Sequence, residues 1–279
     1  MKQFADIPQE YTNYISSKVV IIPVPYDETS TWMKGSDNGP DAIIEASANL
    51  ELYDIETDSQ VYELGIHTTE PIKENVHQEI ETQIIKLIKN NKFPIILGGE
   101  HSISLGAIKA HARKHKDLCV LQLDAHADLR DSYNDSKYNH ACIMARVQEI
   151  CPAVQVGIRS MSVEEKEKAN KNKIFWAKDI AKTKDWTNQV VENLSDNVYV
   201  TIDLDVLDPA IMPSTGTPEP GGLFWYETLA LLCEVSKTKN IVGFDIVELC
   251  PNKQNKAPDF LAAKLIYKFL SYIFKGKNE

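Results

Sequence analysis

Asp124-Ala125-His126-Ala127-Asp128 carries two carboxylates and an imidazole at a spacing of two. On extended backbone that spacing puts all three side chains on one face. The apolar run Val120 to Leu123 leads straight into them and has the pattern of a buried strand. Such a cluster is costly to desolvate unless something pairs its charges. A divalent cation would pair them; the alternative is a strand end that opens into water. Three further strand ends carry similar groups: Gly98-Gly99-Glu100-His101, Asp203-Leu204-Asp205, and Asp245 with Glu248.

His101, Asp124, His126, Asp128, Asp203 and Asp205 together offer two imidazoles and four carboxylates. A single zinc takes about four ligands. Six carboxylate-rich side chains suit two ions that share bridging carboxylates, and hard oxygen donors favour Mn²⁺ over Cu²⁺ or thiolate-bound Zn²⁺. Two ions about 3.5–4 Å apart can hold a hydroxide and lower its pKa toward neutrality. That is a nucleophile for an unreactive carbon centre. His140 follows the turn after Asp128 and is a candidate proton shuttle. Glu248, at the end of an apolar strand, could clamp a planar guanidinium; the alternative is an acid in water. His67 and His77 stand alone. His111 and His115 lie at i, i+4 among Arg113, Lys114 and Lys116, which reads as a solvated basic face.

The elements that must position these groups follow from periodicity. Val19–Val24, Phe93–Leu97, Val120–Leu123, Ala153–Ile158, Ile174–Trp176, Val198–Ile202 and Ile241–Val247 read as strands, and Val61–Ile66 as a further short one. Helices are expected after Pro40, over 76–90, 102–114, 141–150, 185–194 and 225–235, and from Pro258 onward. The charge-dense stretch Val163 to Lys171 reads as a solvated helix. Alternating strands and helices imply a parallel sheet covered on both faces. The polar clusters all follow the carboxyl ends of strands, where open α/β sheets bind ligands. Parallel strands lie about 4.8 Å apart, so these ends converge only if their strands are neighbours. Spacing leaves that adjacency open.

The 279 residues allow one large domain with a substantial core, and no linker, repeat or low-complexity segment divides them. A net charge of −10 argues against nucleic acid or an anionic membrane as the main partner. The five cysteines are odd in number and show no CxxC spacing, as expected of reduced thiols in a cytoplasmic protein. Met1 to Glu10 has no apolar signal core. The most hydrophobic segment, Phe260 to Phe274, is too short to span a membrane and carries Lys264 and Lys268.

Gly98-Gly99-Glu100-His101-Ser102, the Asp124–Asp128 run, and Asp203-Leu204-Asp205-Val206-Leu207-Asp208-Pro209 resemble the three signature motifs of the ureohydrolases. That family includes arginases, agmatinases, guanidinobutyrases and formimidoylglutamases. The resemblance runs from Pro23 to the last helix and makes residues 1–279 a single ureohydrolase domain. Thr215-Gly216-Thr217-Pro218-Glu219-Pro220-Gly221-Gly222, Asp245-Ile246-Val247-Glu248 with Pro251, and Leu261-Ala262-Ala263-Lys264-Leu265 are similar to agmatinases. Asp128-Leu129-Arg130 and Tyr138-Asn139-His140-Ala141 replace the Asn-bearing loop of arginases, which disfavours an α-amino-acid substrate.

The resemblance implies a three-layer α/β/α sandwich around a mostly parallel sheet of about eight strands. It implies two Mn²⁺ per subunit: His101 and Asp128 complete one coordination sphere, His126 and Asp205 the other, and Asp124 and Asp203 bridge. Asp128 would also orient a bridging hydroxide, His140 shuttle protons, and Glu248, with Thr217 beside it, hold the guanidinium. The implied reaction converts agmatine, a small cationic substrate, to urea and putrescine in a homo-oligomer, a trimer or hexamer. Another guanidino compound (guanidinobutyrate, arginine, guanidine) is the alternative substrate. Ser214 stands where many agmatinases have Gly, and Asp37 where a basic residue is frequent, which opens the question of substrate chain length. Two other classes compete. An aspartyl phosphotransferase would use Asp203-Leu204-Asp205 but leaves the histidines unexplained. A non-catalytic homologue should have lost a ligand, and all six are present.

Overall fold

The computed structural model of the chain describes residues 2–275. Its strands are β1 (Val19–Val24), β2 (Ile66–Thr68), β3 (Phe93–Gly98), β4 (Leu118–Leu123), β5 (Ala153–Ile158), β6 (Ile174–Trp176), β7 (Asn197–Asp203) and β8 (Asn240–Val247). All pair in parallel, in the order β2-β1-β3-β8-β7-β4-β5-β6. Every residue of β1, β3, β4 and β5 is buried. These strands are continuous apolar runs, because helices cover both faces of the sheet.

The helices are α1 (Gly39–Ser47), α2 (Val76–Lys89), α3 (Ser104–Lys114), α4 (Ile143–Gln148), α5 (Val163–Lys168), α6 (Ala177–Ile180), α7 (Trp186–Glu192), α8 (Trp225–Thr238) and α9 (Ala257–Phe274). Alternation along β3 divides the core in two. Ile95 and Leu97 pack on one face with Ile43 of α1, Val190 of α7, Leu231 of α8 and Phe269 of α9. Ile96 packs on the other with Ile84 of α2, Ile108 of α3 and Val147 of α4. Burying such a side chain contributes roughly 1.5–3 kcal/mol. The result is the expected three-layer α/β/α arrangement around eight strands. No helix among the described residues is long and apolar enough to cross a membrane. In α9, Lys268 is buried and paired with Asp54 (3.0 Å) and Glu56 (2.8 Å).

Three local expectations are corrected. The segment expected as a strand over 61–66 is a 3-10 turn, Val61–Leu64, and β2 starts only at Ile66. Gly65 separates them at a φ of +76°, where an added Cβ would lie 2.6 Å from the Ser17 Cα. The charged stretch after Val163 is not uniformly solvated. Glu165 is buried, caps α5 through the Ser162 amide, and accepts from the Leu129 amide. His111 is buried too, with its ring 5.3 Å from that of Tyr199. Arg113, Lys114 and Lys116 are exposed at and beyond the end of α3, while Gly243 leaves room for the imidazole; a Cβ there would come within 2.9 Å of Nε2. Burial first, then the charges of His115 and Lys114, push the His111 pKa down to about 3.

Candidate active site

The order β3-β8-β7-β4 places the four polar strand ends side by side at the middle of one sheet edge. All six expected ligands meet there. His101 Nδ1 lies 3.1 Å from Asp124 Oδ2 and 3.3 Å from both Asp128 Oδ2 and Asp203 Oδ2. His126 Nδ1 lies 2.8 Å from Asp205 Oδ2 and 3.7 Å from Asp124 Oδ1. Two groups of potential ligand atoms result, His101–Asp124–Asp203 and Asp124–His126–Asp205, with Asp124 common to both.

Local backbone geometry aims these carboxylates. Asp203 Oδ1 accepts from the Asp205 amide (2.9 Å), and Asp205 Oδ1 from the Ala125 amide (3.0 Å). Each therefore turns its Oδ2 inward. Asp124 is held by the His126 amide and the Gln122 side chain, both at 2.6 Å. Asp128 and Glu248 adopt positive φ angles of 53° and 66°. A left-handed conformation at a non-glycine residue costs on the order of 1–3 kcal/mol and concentrates at functional sites.

The chemistry of His101 tests whether these residues fit a metal. Tyr199 and Thr201 donate hydroxyl protons to Asp245, at 2.7 and 2.6 Å. The Thr201 oxygen, its proton committed, accepts from His101 Nε2 at 2.9 Å. In the neutral ring Nδ1 is then the lone-pair nitrogen, buried and facing three carboxylate oxygens. Lone pair against carboxylates is repulsive, and a cation between them resolves the conflict: a metal ion or, without one, a proton on the ring. The residues fit a divalent metal. This also corrects the grouping of Asp245 with Glu248: Asp245 lies inside β8, behind His101, and reaches the centre only through Thr201. Thr201→Val is expected to weaken metal binding about ten- to a hundredfold. Calorimetric titration checks this, and wild-type affinity would remove the relay from the site.

Without a cation, the centre's excess negative charge redistributes protons. Burial would push both His101 and His126 down. The carboxylates beside them prevail, holding His101 well above the ordinary histidine range and His126 at about 12. Burial and the Asp124 charge push Asp128 up to about 7. At neutral pH the metal-free site thus holds protons that a metal must displace. Binding releases protons, so affinity rises with pH, about tenfold per unit for each proton released. Calorimetry across pH 6–8, in buffers of different ionisation heat, measures this directly; proton uptake on binding would contradict it.

A cavity of about 280 Å³ opens over the centre, with His101, His126, Asp128, Asp203 and Asp205 among its lining residues. Glu248, Thr217, His140, Tyr133 and Trp32 line it as well. Glu248 Oε1 accepts from the His101 amide at 2.8 Å. Its Oε2 faces Gly216, where an added Cβ would stand 3.8 Å away. Burial, then the Glu100 charge, raise the Glu248 pKa well above the ordinary range.

Besides the Tyr199 and Thr201 hydroxyls, two further parts of the site escaped the sequence reading. Arg159, just after β5, donates to the backbone carbonyls of Asp205 (2.6 Å), Val206 (3.3 Å) and Glu219 (2.8 Å). It ties the Asp205 segment to the loop bearing Thr217. Its partners are carbonyls, so no side-chain pattern announces it. Thr29 contacts both His140 and Glu100; nothing in a loop rich in Ser and Thr distinguishes it.

Known proteins are similar to this chain in sequence and in fold. The sequence profile of the arginase family matches residues 17–271. The N(1)-aminopropylagmatine ureohydrolase of Synechocystis sp. is 38% identical, over 97% of this chain and 94% of its own. The agmatinase of Pyrococcus horikoshii is 35% identical, over 89% of each. The crystal structure of the agmatine ureohydrolase of Thermoplasma volcanium superposes with a TM-score of 0.88 at 35% identity, covering 99% of this chain and 95% of that one. The profile match across most of its length, the shared fold and these relatives show that the chain belongs to the arginase family and is similar there to the agmatinase-type ureohydrolases.

Proposed function

We propose that the cavity hydrolyses agmatine to urea and putrescine, using two Mn²⁺ ions. The observation that carries this reading is Glu248, a buried carboxylate with one oxygen pinned by the His101 amide and the other left for substrate. His101 and Asp128 would hold one ion, His126 and Asp205 the other, and Asp124 and Asp203 both. When bound, such a pair supplies a water-derived nucleophile at neutral pH and offsets charge building at the reacting carbon. The oxygen-rich donor set favours Mn²⁺.

The chain's own residues do the rest. Glu248 accepts hydrogen bonds from the guanidinium and sets its plane over the six ligands. Thr217 lines the same wall and assists. Asp128 aligns the attacking group. His140 carries the proton to the nitrogen whose bond to carbon breaks. One water is consumed: its oxygen ends in urea, and the departing amine leaves as an ammonium. Agmatine suits a cavity with abundant acids and no loop built for an α-amino acid. The active form is proposed to be a cytoplasmic homo-oligomer.

A longer guanidino-amine, N(1)-aminopropylagmatine, is the second reading. It is favoured by the name of the 38% identical relative and by a cavity bordered by Trp32, a residue 78% exposed. Urea release by Mn²⁺-loaded protein decides between them, using agmatine, N(1)-aminopropylagmatine, arginine, 4-guanidinobutyrate and guanidine. The highest kcat/KM on agmatine supports the first reading. Preference for a carboxylate-bearing substrate would overturn both.

A further inference from the structure

We propose that Thr29 is a positioning residue for His140, holding its imidazole with Nδ1 protonated so that Nε2 is the nitrogen that exchanges protons with substrate. The inference rests on the proton-carrying role proposed above for His140.

Glu100 anchors the arrangement. It is wholly buried directly after the glycine pair that ends β3. Its Oε2 accepts from the Ser102 amide at 2.7 Å, and its Oε1 from the Ser102 hydroxyl at 3.0 Å and the Thr29 hydroxyl at 2.8 Å. Three donors converge on this carboxyl, so the single Thr29 hydroxyl proton points to Glu100. A hydroxyl has one proton and two lone pairs. Both remaining lone pairs of Thr29 are used by His140: the backbone amide donates at 3.0 Å, and Nδ1 lies 3.1 Å away. With the hydroxyl proton committed, Nδ1 must be the donor. The neutral ring then carries its lone pair on Nε2.

One oxygen thus grips both the main chain and the ring of His140, which fixes the ring's orientation as well as its tautomer. The ring of Tyr133 stands edge-on to the imidazole, 6.4 Å away. Thr29 lines none of the cavity itself and acts only through His140. Its segment follows β1, while Glu100 follows β3 and His140 comes after β4. The contact therefore joins three chain segments across the rim of the centre.

The test is a double-mutant cycle on agmatine hydrolysis. Thr29→Val keeps the shape and removes the hydroxyl; Thr29→Ala serves should valine disturb packing. The expected result is a kcat reduced about ten- to a hundredfold, with KM within about threefold of wild type and metal content unchanged. Thr29→Ser should restore most of the rate. In a His140→Asn background, Thr29→Val should add less than about twofold, because the group it positions is already gone. A readout independent of turnover is the tautomer. Nitrogen-15 shifts of His140 in protein loaded with diamagnetic Zn²⁺ should show Nδ1 protonated, and Thr29→Val should mix the two forms. Wild-type kcat in Thr29→Val, full additivity with His140→Asn, or loss of metal in Thr29→Val would each overturn the inference. If His140→Asn itself keeps the wild-type rate, the proton-carrying role fails, and this positioning role with it. If only Thr29→Val is silent, the positioning role alone fails.

Discussion

Asp128→Asn is expected to reduce kcat by at least about a thousandfold while leaving the fold intact. The substitution is close to isosteric. Asp128 sits at a φ of +53°, a conformation that asparagine tolerates as well as aspartate does. What disappears is one negative charge 3.3 Å from His101 Nδ1. That charge supports both metal retention and alignment of the attacking group, so metal content is expected to fall with turnover. Stability provides an opposite signature. Burial and the Asp124 charge raise the folded-state pKa of Asp128 to about 7. A raised carboxyl pKa means the folded state disfavours the ionised form, so its stability is lost as pH climbs through 7. Asparagine never ionises. Metal-free Asp128→Asn should therefore melt higher than the metal-free wild type at pH 8. Wild-type turnover in this variant would sink the assigned role.

Glu248→Ala should raise KM about a hundredfold or more and also lower kcat. The lost carboxylate both binds the guanidinium and places its carbon. The alanine variant has a side effect. It leaves the buried His101 amide without its 2.8 Å acceptor, at a cost of about 1–3 kcal/mol. Glu248→Gln separates the two contributions, because it can still accept from that amide while losing the charge. Steady-state urea release on agmatine, with melting curves for both variants, checks this. An unchanged KM in both would mean that the guanidinium binds elsewhere in the cavity.

The candidate ligands were legible because their signal is local. Acid and imidazole alternating directly after an apolar run mark a cluster at a strand end, although β4 stops at Leu123 and Asp128 is left-handed, so a local turn and not strand alternation aims the three side chains. The parallel, doubly covered sheet was legible for the same reason, since strands such as β3 and β4 have no polar alternation to expose to water. Misreadings arose where packing overrides pattern. His111 has basic neighbours in sequence yet lies against Tyr199, because Gly243 leaves a space for it. Val61–Leu64 has strand-like composition but turns at Gly65. Asp245 lies three residues before Glu248 but does not share its destination, since its side chain is held by Tyr199 and Thr201 on β7.

The sequence by itself determined the ligand types and the strand ends they follow. Only the tertiary structure decided that β3, β8, β7 and β4 are consecutive, and hence that four separate strand ends make one centre. Strand order depends on how the crossover helices bury both faces of the sheet at once, a condition no local window contains. The same holds for the hydroxyls behind the centre. Thr201 reaches His101 across 100 residues of chain, and Thr29 reaches His140 across 111. A threonine acquires such a role from where its one proton is drawn, and folding alone brings the acceptor.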